Sequence, residues 1–73
     1  MTDTVLLNKA IDDCGLKRSF IAKRLHLSTY GLARKINNLS EFTASEIDMF
    51  CDLLGISSLE QRFAIFFAKQ VDE

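Results

Sequence analysis

KRSFIAKRLHLSTYGLARKINN, Lys17 to Asn38, is the stretch whose reading decides the fold. It reads as two short helices joined by a tight turn. Ile21 and Leu25 face inward on the first, about residues 17–25, and His26-Leu27 makes the turn. Ser28 is a good N-cap for the second, about residues 29–36. Asn37-Asn38 can end that helix, because Asn tolerates a left-handed backbone. The stretch carries six of the chain's nine Lys and Arg residues and none of its ten Asp and Glu. A chain of formal net charge -1 thus gathers most of its positive charge on one supersecondary unit. A localised cationic footprint of this kind points to nucleic acid.

Helices flank the stretch on both sides. Upstream, Leu7, Ala10, Ile11 and Cys14 repeat at three and four over about residues 3–14, and Gly15 stops the pattern. Downstream, Thr43 and Glu46 form a capping box across which Phe42 and Ile47 staple. The fourth helix places Ile47, Phe50, Cys51 and Leu54 on one face and stops at Gly55. Ser57 and Glu60 offer a second capping box for a last helix, about residues 58–69. Its expected inward stripe is Leu59, Phe63, Phe66 and Phe67, with Val71 near the frayed end. The expectation is one all-α domain over residues 1–73, with five helices and no strand, linker or internal repeat.

Seventy-three residues make a small core, and a second subunit would help its stability. The segment FAIFFAKQV, residues 63–71, is unusually apolar. Ile65 lies off the expected stripe, and Ala64 and Ala68 widen its girth. So small a domain would struggle to bury all of this alone. The last helix is therefore expected to build a homodimer interface from Phe63, Phe66 and Phe67. No apolar run approaches the ~18 residues of a membrane span. The acidic, polar start of MTDTVLLNKA does not read as a signal peptide.

Catalytic and metal chemistry find no foothold. Cys14 and Cys51 fall on apolar helix faces without a CxxC or Cys/His spacing, so small buried hydrophobes are expected rather than a disulfide or metal pair. His26 has no partner in sequence, and Ser19, Ser28 and Thr29 have no base. The expectation is no enzyme, no metal, no cofactor and no small-molecule ligand.

The second helix of the basic unit carries the reading chemistry. On a wheel of residues 29–37, Leu32 and Ile36 point one way, and Tyr30, Arg34 and Asn37 the other, with small Ala33 on the flank. Arg pairs with guanine, Asn with adenine, and a Tyr or Thr hydroxyl can reach a base edge. Thr29, Tyr30, Arg34 and Asn37 are therefore the candidate base contacts. Lys17, Arg18 and Ser19 sit where a helix start already favours an anion, and Lys35 and Asn38 sit near the end of the second helix. These five are the candidate phosphate contacts. Phosphate contacts fix register, and base contacts give sequence preference.

The stretch resembles the helix-turn-helix of the phage lambda repressor, Cro and Xre-type regulators. That family's pattern is an apolar residue, Ala, an apolar residue three on, Gly in the turn, another apolar residue and an apolar residue five beyond. Here these are Ile21, Ala22, Leu25, His26, Leu27 and Leu32. The turn Gly is replaced by His26, and Lys17 stands where the family often has Thr or Ser. The resemblance covers about residues 5–67. It implies a five-helix lambda-repressor-like DNA-binding domain with its helix-turn-helix at about residues 17–37. It further implies a small phage or prophage Cro-like repressor in the bacterial cytoplasm. Such a repressor binds double-stranded operator DNA as a homodimer, with recognition helices about 34 Å apart. An antitoxin or antirepressor whose main partner is a protein is the alternative. The sequence pI of about 5.7 also keeps open a helical adaptor without a DNA role.

Overall fold

Four of the five helices start on a short polar side chain that accepts a backbone N–H. The computed structural model describes residues 1–68. Asp3 caps α1 (Thr4–Cys14), and Ser28 caps α3 (Thr29–Ile36). Thr43 caps α4 (Ala44–Leu54), and Ser58 caps α5 (Leu59–Phe66). Helix α2 (Arg18–Arg24) starts at Lys17 without a side-chain cap. The Thr43–Glu46 capping box is complete in both directions. Such caps supply partners for N–H groups that a helix start leaves unpaired. No strand occurs among the described residues, and no helix is long and apolar enough to cross a membrane.

Among the described residues, four left-handed residues turn the chain. Gly15 (φ 76°) and Gly55 (φ 72°) end α1 and α4, as their positions in the sequence imply. His26 (φ 60°) and Asn38 (φ 63°) adopt the same conformation with side chains. His26 does so between α2 and α3, where the Leu27 N–H closes onto the Ala22 carbonyl at 2.8 Å. Asn38 does so after α3, and its side chain then makes a two-point clamp on the N-terminal segment. The Thr2 N–H donates to Asn38 Oδ1, and Asn38 Nδ2 donates to the Thr2 carbonyl, each at 2.8 Å.

The core draws on every helix. Leu7 and Ile11 of α1, Ile21 and Ala22 of α2, Leu32 and Ile36 of α3, and Ile47, Phe50 and Cys51 of α4 are buried together. Ile65 and Phe66 close it from α5. Phe66 meets Phe42 edge-on at 5.5 Å between ring centroids and Phe50 at 5.7 Å. The N-terminal segment straps α5 to α3. The Asp3 N–H donates to the Ile65 carbonyl at 2.7 Å, and the Thr4 hydroxyl donates to the Ile36 carbonyl at 2.6 Å.

Helix α5 corrects the sequence expectation in two ways. It starts one residue later, on Ser58 with Gln61 rather than on Ser57 with Glu60. Its inward face is Ile65 and Phe66, while Leu59 (67% exposed), Phe63 and Phe67 turn outward. Apolar residues surround this helix, so periodicity alone does not choose the inner side. The Phe42–Phe50 pair and the strap from Asp3 choose it. Phe66 is therefore a core residue and not part of an exposed interface. Val71 and the expected helix end at residue 69 lie outside the described residues.

Two stability outcomes follow from this packing. Phe66→Ala removes a ring packed against two others, and a loss of about 3–5 kcal/mol is expected in urea unfolding followed by circular dichroism. His26→Gly relieves a left-handed side-chain residue but adds freedom to the unfolded chain. The expected outcome is neutral to about 1 kcal/mol more stable. A marked fall in Tm would show that the His26 side chain contributes to the turn.

Candidate nucleic-acid interface

Helix α3 turns its outer face to solvent because Leu32 and Ile36 hold the opposite face in the core. Tyr30 and Asn37 are exposed on that outer face, Tyr30 to 71%, and Thr29 and Ala33 are exposed on the flank beside Leu32 and Ile36. Ala33 adds little bulk there. Arg34 is half-buried and held in place. Its Nη2 donates to the Leu39 carbonyl at 3.2 Å, and its guanidinium carbon lies 5.9 Å from the centre of the Tyr30 ring. A guanidinium so placed has lost part of its rotamer freedom before any partner arrives. It keeps further N–H donors, of the five it carries, for that partner.

A shallow depression of about 270 Å³ adjoins this face. Arg18 from the start of α2, Thr29 and Asn37 from the two ends of α3, and Asn8 from α1 line it, with Ala33 between. Three of the sequence-derived candidates therefore converge on one hollow. Asn8 is a polar lining residue that the sequence reading misses. The available signal is its place beside buried Leu7 on α1, and no local pattern says that α1 meets α3 there. Arg18 also faces Asp12 at 3.6 Å, with both side chains largely exposed. An ion pair in that setting is worth about 0–1 kcal/mol, so it leaves Arg18 available to another anion. Lys17 and Ser19 are exposed at the same helix start.

Two candidates are drawn away from this face. Lys35 Nζ donates to Glu46 Oε1 at 2.6 Å, and both side chains are nearly covered, at 15% and 14% exposure. The same oxygen accepts the Thr43 N–H at 2.8 Å in the capping box of α4. Burial pushes the Glu46 carboxyl up, but the Lys35 ammonium and the Thr43 N–H outweigh it, and the net shift is downward. Asn38 is likewise committed, through both polar atoms, to Thr2. Lys35 and Asn38 are therefore structural partners rather than free phosphate donors. Their partners lie far along the chain, beyond the reach of a helical wheel.

Cys51 packs as a small apolar residue, while Cys14 is half-buried, its thiol donating to the Ile11 carbonyl at 3.1 Å and accepting the Leu16 N–H at 3.4 Å. Cys51 is fully buried, burial pushes its thiol up, and both Cys14 and Cys51 are free. No cluster that could hold a metal occurs among the described residues. The arrangement presents a fixed guanidinium, an aromatic hydroxyl, an amide and a threonine hydroxyl along one helix, with cations at its flank. Such a surface offers hydrogen-bond donors to polar acceptors and cations to anions beside them. Comparison of the chain with family models, curated proteins and solved structures gives no match.

The Lys35–Glu46 pair has a pH signature. Glu46 has a lowered carboxyl pKa in the folded chain, so its contribution is present above the unfolded value and lost as pH falls through the folded one. Lys35→Met should cost about 1.5–3 kcal/mol near neutral pH. The gap between variant and parent should close as pH falls below about 4.3, the ordinary glutamate value. Urea titrations at a series of pH values check this, and a gap that stays constant into acid would remove the pair from the account.

Proposed function

We propose that this chain is a sequence-specific double-stranded DNA-binding regulator of transcription, a Cro-like repressor of phage or prophage type. In this reading α2 and α3 form a helix-turn-helix, α3 enters the major groove, and the protein acts as a homodimer on an operator. The observation that carries it is the outer face of α3. That face is free of acids, with Tyr30 and Asn37 exposed, Arg34 held by Leu39 and Tyr30, and Arg18 beside it at the start of α2. The Ile21, Ala22, Leu25 and Leu32 pattern supports it, as does the left-handed His26 in the place of the turn glycine. As a repressor it works by occupying DNA, without catalysis, metal or cofactor.

The roles then divide by chemistry. Arg34, Tyr30, Thr29 and Asn37 read base edges. Lys17, Arg18 and Ser19 hold phosphate, and Lys35 and Asn38 leave that set because they are bonded within the chain. The dimer surface is the outer face of α5, where Leu59, Phe63 and Phe67 form a ridge four residues apart and the Phe63 and Phe67 rings lie 5.2 Å apart. The same ridge would serve the alternative, in which an antitoxin or antirepressor grips another protein.

Selection from a randomised duplex pool tests the reading, and an inverted repeat with half-sites about one turn apart is expected. Absence of any enriched site would overturn the DNA role. On the selected site, Arg34→Ala should lose about 1–3 kcal/mol and relax preference at one base pair. Arg18→Ala should weaken all sequences alike and reduce the salt slope by about one per subunit.

The dimer surface has its own test. Phe63→Asp should yield a folded monomer in sedimentation, because its ring is exposed in the single chain. A folded dimer carrying that change would place the interface elsewhere.

A further inference from the structure

Helix α2 carries a second surface that the base- and phosphate-contact assignments leave unused. Phe20, Lys23, Arg24 and His26 line an open, shallow hollow of about 490 Å³ together with Met49 of α4. None of its lining residues is shared with the depression beside α3. Lys23 and Arg24 are exposed and form no ion pair among the described residues. By contrast, Arg18, Lys35 and Arg62 each face a carboxylate. Among the described residues, no acid lines the hollow. Glu46 lines a smaller neighbouring hollow with Arg24 and Met49, but its carboxylate is taken by Lys35 and Thr43. Asp52, one turn beyond Met49, lies outside the lining.

The apolar part of the lining differs in kind from the charged part. Phe20 is 46% exposed on the outer side of a seven-residue helix whose inner side is already filled by Ile21 and Ala22. Met49 is half-buried, and its unbranched thioether adapts to the shape of whatever covers it. A ring and a thioether gain nothing from a phosphate. They are covered well by a large apolar side chain, and the cations in the lining suit carboxylates on either side of it.

We propose that this hollow docks an acidic segment of a partner protein, seating one large apolar side chain between Phe20 and Met49 while carboxylates pair with Lys23 and Arg24. The surface stands apart from α3, so the proposal holds whether or not the chain binds DNA.

The test uses the full chain, isotope-labelled, titrated with a synthetic Asp-rich peptide carrying one central Phe. Amide shifts confined to Phe20, Lys23, Arg24, His26 and Met49 are expected. Lys23→Glu, an exposed change, should weaken the peptide roughly tenfold or more. A peptide with Ser in place of Phe should lose most of its binding. Equal binding of the Ser peptide would reduce the site to diffuse charge attraction and overturn the proposal. So would shifts centred on Tyr30 and Arg34, or no shifts at millimolar peptide. Stronger shifts of the same residues with a single-stranded oligonucleotide, whose bases can stack on Phe20, would assign the hollow to nucleic acid instead.

Discussion

One carboxylate oxygen, Glu46 Oε1, ties the C-terminal end of the candidate reading helix to α4. It accepts the Lys35 ammonium from the last turn of α3 and the N–H of Thr43, the N-cap of α4. One atom therefore completes a helix cap and neutralises a cation that would otherwise be nearly buried and alone. Leaving either partner buried without the other is costly, so the two helix ends are held in one relation. Asn38 repeats the logic one turn further, tying the end of α3 to Thr2, while the next residue, Asp3, binds the end of α5 through its N–H. The outer face of α3 is presented on a helix whose C-terminal end is fixed from two directions.

Local chemistry was legible in the sequence wherever a signal and its partner lie within one turn. The caps Ser28 and Thr43, the stops Gly15 and Gly55, and the left-handed Asn38 all belong to this class. So do the inward residues Leu32 and Ile36, because a helix with one apolar stripe has one possible core side. The outward position of Tyr30 follows from the same stripe. Helix α5 lacks this property. With Leu59, Phe63, Ile65, Phe66 and Phe67 spread around it, either side satisfies the periodicity, and only contacts with Phe42, Phe50 and the N-terminal strap select Ile65 and Phe66.

The fate of individual cations was not legible for a related reason. Lys35 reads as a surface charge in an acid-free run, but its carboxylate sits eleven residues away on the next helix. Asn38 reads as a polar helix end, but its partner Thr2 lies thirty-six residues back. A wheel reports direction from the helix axis and not what another helix brings to that side. Two of the nine candidate polar contacts were lost in this way, and both lie at the C-terminal end of α3, where the chain must turn back against its own N-terminus.

The six cations between Lys17 and Asn38 therefore do not make one patch. Lys35 is neutralised inside the fold, Arg34 stands on the α3 face, and Lys17 and Arg18 sit beside it at the start of α2. Lys23 and Arg24 stand on the side of α2 that meets α4, with Phe20 and Met49 between them. An acidic chain that concentrates its cations on two short helices and then parts them by helix direction creates two fields of different character. The field at α3 is set among hydroxyl and amide groups, which suits acceptors that are polar throughout. The field at α2 surrounds exposed apolar surface, which suits a partner that is charged and apolar at once. Because α2 is only two turns long, both fields depend on the same buried Ile21 and Ala22 for their orientation, and a change in that packing would disturb both together.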